Sequence, residues 1–368
     1  MGQKDESMRN KKVDGLERVY LEKVKEKFEK LDIGLKTKVD LKNIFVTLNS
    51  CKETLIETEI RESERPEGER PEPSEPQKVV PPRQKTSKKD KKPPEPKKEV
   101  RTERSKPMPI FKALKDMDKV ILVGLPGAGK TTTLRYIALN IAEYRLGEVA
   151  EDEAVLSENF VPFYIELRFS EPQNVKRAAR VAAYELLEGR YDLKGPDDPM
   201  LKDFVDSVFQ DGRALLLLDS LDESPNPGKW MEKLKDGSQS YRFRAIVTVR
   251  KANFEAMKDE ITEWTKTEKE EAGKKTSEAY WVEIEELRGD ARKQFIAKYL
   301  TEFGASVDEA EAWAESLSNS IEKDEYLDRT MVTPLLLRMV QSMHSRTTWG
   351  NSSQHSGRPS FTNFIWIG

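Results

Sequence analysis

The chain has 368 residues, of which 36% are hydrophobic and 35% charged, and a formal net charge of −3. That length exceeds one small domain, and the near-balanced charge excludes a global electrostatic pull towards nucleic acid or an anionic membrane. Cys51 is the single cysteine, which excludes an internal disulfide and a cysteine-built zinc site.

With no signal peptide and no apolar run of roughly twenty residues, that cysteine usage leads to the expectation of a reducing cytoplasm. From the N-terminus, residues 15–31 place Leu16, Val19, Tyr20, Val24, Phe28 and Leu31 at helical spacing, with Lys and Glu opposite. This is an amphipathic helix with a face to dock. Residues 41–48 (LKNIFVTL) form a short apolar segment that reads as a strand or an adapter loop, closing an N-terminal unit at 1–52. From 53 to 109 the chain is Pro, Glu, Lys, Arg and Ser with few large apolar residues, and it holds more than half of the 20 prolines. So little apolar surface cannot offset the entropy of ordering, so a disordered linker is expected. Its basic second half could contact nucleic acid or acidic lipid, but a solvated tether is the expected reading.

After Ile110 apolar runs alternate with helical patterns. Five runs stand out at 119–123, 161–167, 214–218, 244–249 and 280–284, and residues 131–144 carry a buried stripe at Leu134, Ile137, Ala138, Ile141 and Ala142. Continuous apolar strands between helices predict an α/β fold: a three-layer parallel sheet of about five strands over 110–287. Residues 288–345 read as a helical lid, and 346–368 as an irregular tail.

The strongest motif lies between a strand and a helix. Gly124, Leu125, Pro126, Gly127, Ala128, Gly129, Lys130 and Thr131 fit G-x-x-x-x-G-K-[ST], with Thr132 following. Glycines let the backbone turn N–H groups onto phosphate oxygens, and the helix presents its positive end to the same anion. Lys130 is expected on the β- and γ-phosphates, and the Thr131 hydroxyl on magnesium (Mg2+). In RALLLLDSLDES, Asp219 ends a buried strand, where a carboxylate holds magnesium beside such a loop. Asp222 or Glu223 could polarise the attacking water, or simply cap the next turn. In FRAIVTVRK, Arg250 ends a strand in the crevice where open α/β sheets bind ligands, placing it to sense the γ-phosphate. Pro334 of TPLLLRMV reads locally as a helix start.

Together these residues resemble the NACHT family of signal-transducing NTPases, a STAND-type branch of the AAA+-like P-loop group. GLPGAGKTT is similar to its Walker A motif, and Asp219-Ser220-Leu221-Asp222-Glu223 to its Walker B signature, with Ser220 where the family has glycine. Thr248 to Arg250 resembles its sensor segment, and TPLLLRMV its proline-leucine motif, which implies that Pro334 contacts the adenine. Residues 15–50 look like the lead-in of prokaryotic members. The resemblance implies ATP or ADP with Mg2+, slow hydrolysis, a nucleotide-dependent signalling switch with a role in defence, and self-association or protein partners. Rival expectations are a nucleotide-held scaffold without turnover and a motor, for which no arginine finger is identified. Family members continue into a winged helix, whereas the residues after Met343 are polar and carry His344 and His355 without that context. Truncation after the first helical subdomain is therefore expected.

Overall fold

The computed structural model describes residues 2–32, 38–60, 97–156, 158–189, 191–271 and 274–338. The expected irregular tail, the end of the lid, both histidines and the middle of the expected linker, 61–96, lie outside the described residues.

Helix α1 (Gly2–Phe28) leads into a short hairpin of Lys30–Asp32 on Lys38–Asp40. Leu31 therefore sits in a strand rather than at the end of the helix. Asp40 caps a four-residue helix, Leu41–Ile44, by accepting from the Lys42 N–H. Residues 45–48 then run without regular structure into strand β1 (Asn49–Ile60), which is followed after residue 96 by β2 (Lys97–Arg104).

These two strands correct the expected boundary of a disordered linker at 53–109. Strand β1 pairs antiparallel along β7 (Lys274–Ile284), from Ser50↔Ile284 to Thr58↔Thr276, and β2 pairs antiparallel with β1, from Glu53↔Arg104 to Ile60↔Lys97. Met108–Pro109 adds a two-residue bridge to the start of β1. Backbone ladders, not apolar content, order these segments. A strand half open to water can be built from Thr, Glu, Lys and Arg if its neighbour supplies the hydrogen bonds.

The core comprises β3 (Lys119–Gly124), α2 (Lys130–Leu146), β4 (Val161–Glu166), α3 (Val175–Leu187), α4 (Pro199–Gln210), β5 (Ala214–Asp219), α5 (Pro227–Ser240), β6 (Arg244–Arg250), α6 (Lys258–Thr265) and β7. The sheet order is β2-β1-β7-β3-β6-β5-β4, with Thr267–Glu271 hairpinned onto β7 and Met108–Pro109 on β1 completing nine strands. The five expected strands, β7, β3, β6, β5 and β4, run parallel to one another. Every residue of β5 is buried, as are five of six in β3, which explains their unbroken apolar runs. Helix α2 packs against β4 and β5, α1 lies on α2, and α6 packs against β7 and β3. Tyr20 of α1 donates its buried hydroxyl to the Pro162 carbonyl at 2.7 Å, fixing the helix to the edge strand.

The lid consists of α7 (Gly289–Glu302), α8 (Val307–Lys323), α9 (Glu325–Thr330) and a further helix beginning at Pro334. Ser306 and Glu309 form a reciprocal capping box at the start of α8. Fully buried Arg292 on α7 donates to Asp328 of α9 at 2.7 Å and to the Leu287 carbonyl at 3.2 Å.

Candidate functional site

Strand β3 ends at Gly124 and α2 starts at Lys130, so residues 125–129 must reverse the chain in five steps. Gly127 has φ 72° and Gly129 φ 95°, a left-handed region that costs a side-chain-bearing residue about 1–2 kcal/mol. Crowding adds a second reason for glycine. A β-carbon at Gly127 would lie 2.6 Å from Leu335 Cβ, and one at Gly129 3.1 Å from Leu48 Cδ1. The Lys130 ammonium folds back over the loop and donates to the carbonyls of Gly124 at 2.8 Å and Leu125 at 2.9 Å. Burial lowers its pKa from the ordinary lysine range; Asp222, Asp219 and Glu223 oppose that shift, and Arg250 adds to it.

Asp219 ends β5 with 5% of its surface exposed. Tyr164 of β4 donates to one carboxylate oxygen at 2.8 Å, and Thr248 of β6 to the other at 2.7 Å. The two flanking strands thus set the orientation of this acid. Burial first, and the Asp219 charge next, raise the Tyr164 phenol, which keeps it a proton donor. Thr248 in turn accepts from the Ser220 N–H at 2.7 Å. Ser220 has φ 60° and is the one non-glycine with positive φ among the described residues, at the position where the resembling motif carries glycine.

The following turn, Leu221–Glu223, separates the two remaining acids. The Asp222 side chain is 2% exposed and accepts from the Arg250 N–H at 3.2 Å and from Asn253 Nδ2 at 2.7 Å, so it ties the turn to the end of β6. Glu223 instead faces an open cleft, in ion pairs with Arg250 and, at 3.5 Å, with Arg168.

That cleft encloses about 430 Å³. Pro126, Gly127, Gly129, Lys130, Thr131 and Thr132 form its polar floor, with Ser220, Glu223 and Arg250 beside them. Gly124, Leu125, Ala128, Asp219 and Asp222 do not line it. The rest of the lining is apolar. Leu31, Ile44, Phe45, Val46 and Leu48 form one wall, and Phe295, Tyr299, Pro334 and Leu335 the other, with Arg338 also at the rim. Phe45 is braced from behind by Tyr136, ring on ring at 3.8 Å and 8°. Pro334 therefore sits at the cleft as well as starting a helix, and the Leu335 N–H points at the Gly127 carbonyl, 3.4 Å away. The sequence reading missed the lead-in wall, although the apolar run LKNIFVTL was its signal. Phe295 and Tyr299, four residues apart on α7, carried no signal beyond ordinary core spacing.

A family model described as the NACHT domain matches residues 118–302, just over half of the chain. The chain belongs to the NACHT family. No curated protein matches it. The NACHT match covers the loop, the β5 acids and Arg250, whereas the lead-in wall and Pro334 come from either side of it. NACHT domains are nucleotide-binding P-loop NTPases, which work with Mg2+, and the residues present fit both groups. A loop whose glycines take left-handed φ, followed by the start of a helix and with a lysine ammonium over it at the floor of the cleft, suits a polyphosphate. For the metal, the Thr131 hydroxyl at the floor is an oxygen donor of the hard type that magnesium takes, and Asp219, set behind the floor by Tyr164 and Thr248, would act on the ion through water. Among the described residues no cluster of three His, Cys, Asp or Glu could hold an ion by itself, so phosphate and water would complete its shell. Among the described residues of this NACHT protein, no helix is long and apolar enough to cross a membrane.

Proposed function

We propose that the protein binds ATP with Mg2+ and acts as a nucleotide-dependent signalling switch of the cytoplasm, in defence or a related role, with slow hydrolysis. The observation that carries this reading is the mixed lining of one cleft: Lys130, Glu223 and Arg250 by the glycine floor, and apolar side chains of the lead-in and the lid around it. A triphosphate would take the floor, its charge met by loop N–H groups, Lys130 and the start of α2. An adenine ring would take the apolar part of the lining, where Pro334, Phe45 and Leu48 offer surface.

Within that scheme Thr131 holds magnesium directly and Asp219 holds it through water, and the ion when bound neutralises phosphate charge. Glu223 is the acid that orients a water, since it lines the cleft and Asp222 does not. Arg250 reads the γ-phosphate. One observation favours a held state over turnover: Glu223 is engaged by two guanidinium groups, Arg250 and Arg168. A non-hydrolysing, nucleotide-held scaffold is therefore the second reading.

Titration with a fluorescent ATP analogue tests the binding step. Lys130→Ala is expected to weaken affinity by on the order of 100-fold, since a buried charge-assisted contact contributes about 2–3 kcal/mol; unchanged affinity rejects the phosphate assignment. Glu223→Gln separates the two readings, because it preserves binding and abolishes any turnover seen in the parent.

A further inference from the structure

The antiparallel wing of the sheet ends in β2, and among the described residues nothing pairs with its outer edge. Residues 99–104 are all exposed, with Val100 at 56%. Such an edge offers a row of unused backbone groups, and the phase of the ladder shows which ones. The Ser105 N–H donates to the Lys52 carbonyl at 2.9 Å, so that pair is a hydrogen-bonded rung. Rungs alternate along an antiparallel pair, and Val100 is opposite Glu57. Counting back from Ser105, the odd-numbered residues of β2 bond to β1, while Lys98, Val100, Thr102 and Arg104 turn their N–H and C=O groups outward. The far side of β1 agrees: the Glu285 N–H donates to the Asn49 carbonyl at 2.9 Å, which directs the odd-numbered residues of β1, Glu57 included, towards β7.

We propose that β2 is a self-association edge, pairing antiparallel with β2 of a second copy of this chain about a two-fold axis at Val100. Charge complementarity singles out this occupant and this register. In the sequence KKEVRTE, residues 97–103, setting Val100 against Val100 brings Glu99 opposite Arg101 and Lys97 opposite Glu103, each twice by symmetry. Lys98 falls opposite Thr102, and no like charges meet. The two neighbouring registers that keep the hydrogen-bond phase are worse. One sets Arg101 against Arg101 and Glu99 against Glu103; the other sets Glu99 against Glu99 and Lys97 against Arg101. Val100–Val100 and Lys98–Thr102 are then hydrogen-bonded rungs, and Glu99–Arg101 the non-bonded rungs whose side chains approach most closely. The contact joins two nine-stranded sheets edge to edge. It involves no residue of the cleft and is independent of the nucleotide reading.

A contact of one strand per copy is small, so dimerisation is expected in the micromolar range rather than tighter. Sedimentation velocity of the full chain from about 5 to 200 µM is the direct measurement. Glu99→Arg and Arg101→Glu each turn two attractive rungs into two repulsive ones and are expected to weaken the dimer about tenfold or more. The double variant E99R/R101E restores opposite charges at both 99–101 rungs and is expected to recover the parental dimer. Glu99 and Arg101 are both on the surface, so thermal melting of each variant should stay near that of the parent. A parent that is monomeric throughout overturns the proposal, as does a dimer indifferent to the single reversals or a double variant that stays as weak as the singles.

Discussion

The glycine loop allows a prediction that separates backbone conformation from mere proximity to ligand. Gly124, Gly127 and Gly129 belong to one motif, yet alanine at each position should cost a different amount. At Gly124 a β-carbon would sit 3.4 Å from Ala128 Cβ and Ile284 Cβ, an ordinary contact, and φ is not in the left-handed region. Gly124→Ala should therefore cost less than about 1 kcal/mol. At Gly129 the left-handed φ adds about 1–2 kcal/mol and Leu48 Cδ1, a movable tip, must give slightly. Gly127→Ala combines the same backbone penalty with an approach of 2.6 Å to Leu335 Cβ. A β-carbon moves only with its backbone, so the helix starting at Pro334 must shift as a unit and its N–H contact to Gly127 is lost. Together these effects amount to about 2–4 kcal/mol, or roughly 5–10 °C in melting temperature for a domain of this size. Scanning fluorimetry with and without ATP reads both the loss and the ligand's protection. The reasoning is refuted if Gly127→Ala melts within a degree or so of the parent, or if Gly124→Ala proves as damaging.

Because burial lowers the Lys130 pKa, nucleotide affinity should weaken as pH rises through that lowered value, before an ordinary lysine would titrate, and Lys130→Arg should flatten the profile over the same range. In the ligand-free protein the sign is opposite: across that window the unfolded chain holds the proton more tightly, so stability rises with pH. Ser220→Gly relieves the left-handed strain at φ 60° at the cost of a more flexible unfolded chain, so a net gain of up to about 1 kcal/mol is expected by urea denaturation; a clear loss would show that the serine side chain is needed there. Arg292→Ala removes a fully buried guanidinium that joins α7 to α9, and a loss of about 3 kcal/mol is expected. Hydrogen exchange should show faster opening of α9 in that variant, and unchanged protection would count against its role as the joint.

The parts legible in sequence were those whose signal is local. The five parallel strands announced themselves through runs rich in apolar residues, unbroken in β3 and β5, and the loop from Gly124 to Thr131 did so because Gly127 and Gly129 are required by φ and by crowding. Asp219 was placed correctly at the end of β5, but its holders, Tyr164 and Thr248, lie on strands distant in sequence and carried no mark of that role. The composition of 53–109 misled at both ends. Strand β1 offers only Leu55, Ile56 and Ile60 as large apolar residues after Cys51, and β2 only Val100, so prolines and charges dominated any window covering them. What orders those segments is the neighbouring ladder, which no local pattern displays. The choice between Asp222 and Glu223 was equally hidden, since adjacent acids on a tight turn point in different directions and only the fold determines which is covered.

The lead-in that forms one wall of the cleft is also the entry to β1, and this decides where the cleft can open. Leu48 accepts from the Ile110 N–H at 2.9 Å, and from the next residue onward β1 is bonded along β7 and β2. Swinging that wall outward would tear successive rungs from the sheet. The facing wall is joined to the glycine loop by no such ladder: the Leu335 N–H points at the Gly127 carbonyl across 3.4 Å, and the Leu335 side chain packs over Gly127. Of the two walls, the one that starts at Pro334 can therefore part from the loop without breaking the sheet.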